Sequence, residues 1–124
     1  MKARLRILRT GAAEFRWTAE LHSYRDADLS YHRCVRVRVW GGGKNGCMLR
    51  VDLVAPDAQG LWGDAGDAFY PTPRVLRAII EYALEDGWEP AVIGGCHELG
   101  TDARLELPGF CTTDELRGVQ RLRY

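Results

Sequence analysis

A period-two alternation of apolar and polar residues runs through the first half of the chain and gives way only once to a helical period. Ala3, Leu5 and Ile7 alternate with Lys2, Arg4 and Arg6. Phe15, Trp17, Ala19 and Leu21 alternate with Glu14, Arg16, Thr18 and Glu20. Val35, Val37 and Val39 alternate with Arg36 and Arg38, and Leu49, Val51 and Leu53 with Arg50 and Asp52. Successive side chains of a strand point to opposite faces, so each pattern predicts a strand with one apolar and one charged face. Thr10-Gly-Ala-Ala13 supplies a turn between the first two. Gly41-Gly-Gly-Lys-Asn-Gly46 suits a hairpin loop between the last two, because Gly and Asn accept positive φ.

The period changes at Tyr70-Pro-Thr-Pro73. Thr72 can cap a helix, and Pro73 suits its first position, where the missing N–H would be unpaired anyway. Val75, Leu76, Ile79, Ile80, Ala83 and Leu84 form one apolar stripe. Gly87 is placed for a left-handed C-terminal cap, and Pro90 prevents resumption. Val92 and Ile93, then Arg104 to Leu107, look like further strands. Thr112-Thr-Asp-Glu115 offers a capping box for a short C-terminal helix reaching about Arg121. Strands followed by one dominant helix predict an α+β fold. The expected sheet is antiparallel or mixed, with about five to six strands. One main helix over about 73–86 packs on one face, and residues 1–124 form a single domain.

Composition narrows the class only a little. A chain of 124 residues with 46% hydrophobic and 27% charged residues can build one core. No apolar run approaches the roughly 18 residues that span a bilayer. The alternating Met1-Lys-Ala-Arg-Leu-Arg6 lacks the apolar core of a secretory signal, so the cytosol is the expected compartment. Cys34, Cys47, Cys96 and Cys111 are widely spaced with no Cys-x-x-Cys, which favours thiols over a zinc site or disulfides. The net charge is zero but uneven. Residues 1–50 hold 11 basic and four acidic residues, and residues 51–124 hold six and 13, so the parts carry +7 and −7. Such asymmetry speaks to partners.

A helix covering the apolar sheet face would leave Arg4, Arg6, Arg16, Arg36, Arg38 and Arg50 on the other, among Glu14, Glu20 and Asp52. Either these charges pair across strands, or the arginines form a binding face suited to carboxylates or phosphates. The helix carries Arg74 and Arg77 in its first turns and Glu81, Glu85 and Asp86 at its end, the reverse of what its dipole prefers. The segment Ala55–Pro71 is long for a loop and holds Trp62, Asp64, Asp67, Phe69 and Tyr70, which either fold onto the core or touch a partner. Its acids lack calcium-loop spacing. Lys44 is followed by Asn45 and then by a strand, which excludes a phosphate-binding loop of the Gly-Lys-Ser/Thr type. Cys96, His97 and Glu98 are adjacent, but neighbours on a strand point apart, so a Cys nucleophile would need His22 or His32 as base. Trp40 and Trp88 suit core or rim packing.

Arg38-Val-Trp-Gly41, Leu49-x-Val-x-Leu53, Tyr70-Pro-Thr-Pro73, Ala83-Leu-x-x-Gly-Trp-x-Pro90, Glu106-Leu-Pro-Gly-Phe110 and Thr113-Asp114 occur in that order. This order resembles a group of small uncharacterised bacterial proteins with a Pro-Thr-Pro helix and a Gly-Trp-x-Pro ending, over roughly two-thirds of the chain. The resemblance implies a cap, a stripe and a terminator. It implies no activity and carries over no catalytic residue. Three readings follow. The first is a non-catalytic interaction or accessory module, self-associating or facing another protein through the arginine-rich face or the 55–71 segment. The second is a small enzyme or ligand-binding protein with a pocket between that segment and Cys96–Glu98. The third is nucleic-acid binding by the basic face, which the neutral net charge disfavours. None calls for a cofactor, a metal or a membrane.

Overall fold

A computed structural model describes residues 5–11, 13–25, 31–41, 45–54, 71–100, 102–107 and 110–113. They form one mixed sheet with one helix across it. The strands are β1 (Arg6–Thr10), β2 (Ala13–Arg25), β3 (Tyr31–Trp40), β4 (Met48–Val54), β5 (Cys96–Leu99) and β6 (Cys111–Thr112). The helix α1 (Pro73–Glu85) lies between β4 and β5 in the chain. β1 to β4 form an antiparallel meander, β5 joins β4 in parallel, and β6 pairs the far end of β4 antiparallel.

Register places the apolar residues on one face. Phe15 stands opposite Leu8, Trp17 opposite Val39, Ala19 opposite Val37, and Val37 in turn opposite Val51. These residues are buried, together with Leu49, Leu53 and Leu99. Val75, Leu76, Ile79, Ile80 and Ala83 of α1 are buried in the same cluster. Burying each such side chain contributes about 1.5–3 kcal/mol, so this cluster is the main source of stability.

Both helix ends form as expected. Thr72 Oγ1 accepts from the Val75 amide at 3.4 Å, and Pro73 follows it. At the other end Gly87 has φ +105°, the Trp88 amide donates to Ala83 O at 2.8 Å, and Gly87 N donates to Leu84 O at 3.4 Å. This paired closure satisfies carbonyls that would otherwise be orphaned. The chain then drops Trp88 into the core. Its ring lies 5.9 Å from that of Phe15, and its Nε1 donates to Cys47 O at 2.9 Å. Gly41 sits where any Cβ would meet Phe15 and Pro90 at 2.8–2.9 Å.

Four expectations are corrected. Ile7 and Leu5 are 55% and 51% exposed, and Leu8 is the buried residue of β1. The hairpin through Gly11 pairs Thr10 with Ala13, which sets Leu8 opposite Phe15 and shifts the alternation by one. Arg6 is thereby brought opposite Trp17, with its guanidinium 5.5 Å from the ring centroid, on the helix side of the sheet. Val92 and Ile93 are not a strand. Ile93 makes a single bridge with Gly46 before Gly94 and Gly95 turn the chain at φ +80° and +83°, and the strand starts at Cys96. Arg104–Leu107 is not a strand either, since only Leu107 bridges, to Phe110. Leu84 is exposed at the rim of the helix stripe. Residues 114–124, where the short C-terminal helix reaching about Arg121 is expected, lie outside the described residues, and Thr112, the first residue of its capping box, belongs to β6.

Candidate functional site

The face of the sheet turned away from α1 is a ladder of charged and apolar rows. One row reads Glu20, Arg36, Asp52 across β2, β3 and β4. The next reads Thr18, Arg38, Arg50 and Glu98 across β2 to β5. The third reads Ile7, Arg16 and Trp40, and the same register continued by one residue brings Met48 and its partner Cys96. Beyond the first row stand His22, Cys34, Val54 and Cys111.

These rows differ in what surrounds them. Arg36 and Asp52 are 1% and 3% exposed although they lie on the charged face. Arg36 Nε donates to Asp52 Oδ1 at 2.8 Å, and Nη2 donates to Oδ2 at 3.0 Å. The bidentate fork satisfies both carboxylate oxygens, and the bond from Asp52 raises the Arg36 pKa against the opposing effect of burial. Arg36 is therefore an internal structural ion and not a displayed contact residue, which corrects its place in the expected binding face. Cys34 is buried beside this pair.

Arg38 and Arg50 of the middle row are half-buried and paired. Arg38 donates to Glu20, and Arg50 donates to Glu98. The Arg38 hydrogen bond is the main cause that holds the Glu20 carboxyl below its ordinary range, with help from the Arg38, His22 and Arg36 charges and against desolvation. His22 Nε2 lies 3.9 Å from Glu20 Oε1 and is a buried atom without a hydrogen-bond partner among the described residues. Arg38 and Arg50 are direct cross-strand partners, a like-charge pairing that sheets avoid unless each charge is offset. The flanking glutamates offset them, so the face is not a bare basic patch.

The outer row is open. Ile7, Arg16 and Cys96 are exposed, and Trp40 and Met48 are half-buried. Arg16 forms no ion pair among the described residues. The Cys96 side chain reaches solvent, yet packing around its sulfur pushes the thiol pKa up, and nearby Arg50 only partly counters this.

Cys96 and Glu98 lie on this face, whereas His97 pairs in register with Leu49 and turns to the helix side. There His97 Nε2 sits 3.1 Å from Oδ2 of Asp86, the residue that closes α1. The Cys96–Glu98 segment thus splits between two faces and brings no nucleophile and base together. His32 stands opposite Tyr24 in the ladder, two positions from the His22–Cys34 pair. Arg4, Trp62, Asp64, Asp67 and Tyr70, the remaining expected contact residues, lie outside the described residues. None of the four cysteines forms a disulfide. Among the described residues no three His, Cys, Asp or Glu side chains gather as metal ligands, and no helix is long and apolar enough to cross a membrane. The row Ile7–Arg16–Trp40–Met48–Cys96 was not visible from sequence, because it runs across strands. Only the register assembles it.

Fold and face together define an α+β module with an amphipathic sheet surface. Comparison with protein-family models, with curated proteins and with solved structures finds no match to this chain.

Proposed function

We propose that this protein is a non-catalytic interaction module that docks a protein partner on the sheet face opposite α1. The row Ile7–Arg16–Trp40–Met48–Cys96 carries the reading. Arg, Trp and Met are the residue types enriched in protein interfaces, and Trp and Arg dominate their hot spots. Arg16 brings a charge without a carboxylate among the described residues, one row in the register from Arg38 and Arg50, whose guanidinium groups keep N–H donors beyond those given to Glu20 and Glu98. A partner of matching chemistry offers an apolar side chain to Trp40 and Met48 and one or two carboxylates to the arginines. Nucleic acid fits less well, since the three innermost arginines, Arg36, Arg38 and Arg50, are each neutralised by an acid.

The test is a photo-crosslinking amino acid placed at Met48 in the native host, with a control at the exposed Asp102. The expected result is a protein adduct of discrete mass from Met48 that disappears on Arg16→Glu and survives nuclease. Equal labelling from both positions, or an adduct indifferent to Arg16→Glu, overturns the reading. A nuclease-sensitive adduct overturns it in favour of nucleic acid.

A further inference from the structure

The solvent side of α1 carries a second pattern. Arg74, Arg77, Glu81 and Glu85 are all exposed and, at 100° per residue, fall within one stripe opposite the buried Val75–Ala83 side. None of the four forms an ion pair among the described residues. The stripe runs from two positive charges to two negative ones along a helix with no acidic residue in its first turn and no basic residue in its last. Within one molecule this order opposes the helix dipole at both ends. It also places Glu81 and Glu85 as like charges one turn apart.

The order makes sense against a second helix of the same sequence running the other way. Arg74 and Glu85 are equidistant from a point between Ile79 and Ile80, and Arg77 and Glu81 are nearly so. A two-fold axis through that point sets Arg74 against the partner copy's Glu85 and Arg77 against its Glu81, and the reciprocal pairs form with them. Each two-fold contact is made twice. The antiparallel dipoles of the two helices also attract. Ala78, half-buried beside the axis, leaves room for close approach. We infer that the protein forms a two-fold homodimer in which the exposed stripes of two α1 helices pair antiparallel. The sheet face opposite α1 takes no part in it, so this inference stands apart from the docking reading above.

Sedimentation equilibrium at low and high salt tests it with the wild type, two variants and their mixture. The wild type is expected to dimerise reversibly and to weaken as salt rises, because exposed pairs are screened. Arg74→Glu/Arg77→Glu makes the stripe wholly acidic and improves the match to the helix dipole. Its fold is expected to hold, as read by circular dichroism, while its dimer weakens by about tenfold or more. Glu81→Arg/Glu85→Arg is expected to behave likewise, and an equimolar mixture of the two to form a heterodimer tighter than either homodimer. A wild type that stays monomeric at millimolar concentration in low salt overturns the inference. So does a dimer that Arg74→Glu/Arg77→Glu leaves unchanged, or a mixture that gains nothing.

Discussion

Asp52 shows how far one residue's role can depart from its place in a pattern. By alternation it belongs on a solvated face, yet it is buried and holds Arg36 in a two-bond fork. Removing one member of a buried pair strands the other charge, which costs about 3–5 kcal/mol. Asp52→Ala is therefore expected to lower unfolding stability by about 3–5 kcal/mol in urea titration. Arg36→Met/Asp52→Leu is expected to lose clearly less, because it leaves no charge behind. Glu20 gives a pH signature. Its carboxyl is held below the ordinary 4.5 in the folded chain, so its ionised form is favoured by folding. That contribution is present above about pH 4.5 and is lost as pH falls through the lowered folded value. Glu20→Gln is expected to flatten the acid limb of stability between those two values, as read from urea midpoints across pH 2–6, and to leave its shape above pH 6 unchanged. The buried state of Arg36 and Asp52 could not be read from sequence. Alternation assigns a face but not whether that face is covered.

At the scale of elements, the helix was the most legible part and the strand phases were less so. Thr72, Pro73, the stripe and Gly87 act through local geometry, and local geometry is what a linear pattern encodes. Gly87 stands at φ +105° with open space where a Cβ would go. Gly87→Ala therefore strains only the backbone, at about 1–2 kcal/mol, and thermal or urea unfolding should show that loss without a repacked core. β1 was misphased because Leu5, Ile7 and Leu8 are all apolar, and only the Gly11 turn decides which of them faces Phe15. β5 and β6 were missed or displaced because Cys96–Leu99 and Cys111–Thr112 are short. They become strands by pairing with β4, a non-local cause.

At the scale of the whole molecule, two surfaces of different character face away from each other. The sheet side presents the Ile7–Cys96 row, and the helix side presents the Arg74–Glu85 stripe. The +7 and −7 parts of the chain map onto this division only loosely. Much of the basic part is consumed by Glu20, Asp52 and Glu98 across the sheet, the last two drawn from the acidic part. Among the described residues, Arg16 keeps no ion pair on the sheet side, and the helix side carries the bipolar stripe. Because the surfaces are separate, Arg74→Glu/Arg77→Glu is expected to leave the Met48 crosslink in place, and Arg16→Glu is expected to leave sedimentation unchanged. Candidate residues could be nominated from sequence, but their grouping could not. The rows join residues from five strands, and Met48 pairs with Cys96, 48 positions further along the chain.

That last separation has a consequence during synthesis. The meander β1–β4 can pair as soon as residue 54 has emerged, but the second edge of β4 must wait for β5 and β6. At roughly 5–20 residues per second, the 48 positions from Met48 to Cys96 take about 2–10 s. Through that interval the nascent chain shows an unpaired strand edge, the usual template for intermolecular pairing. Asp52 is by then paired with Arg36 of β3, whereas the charge of Arg50 stands without Glu98 until β5 arrives, and a charge on a waiting strand disfavours intermolecular pairing.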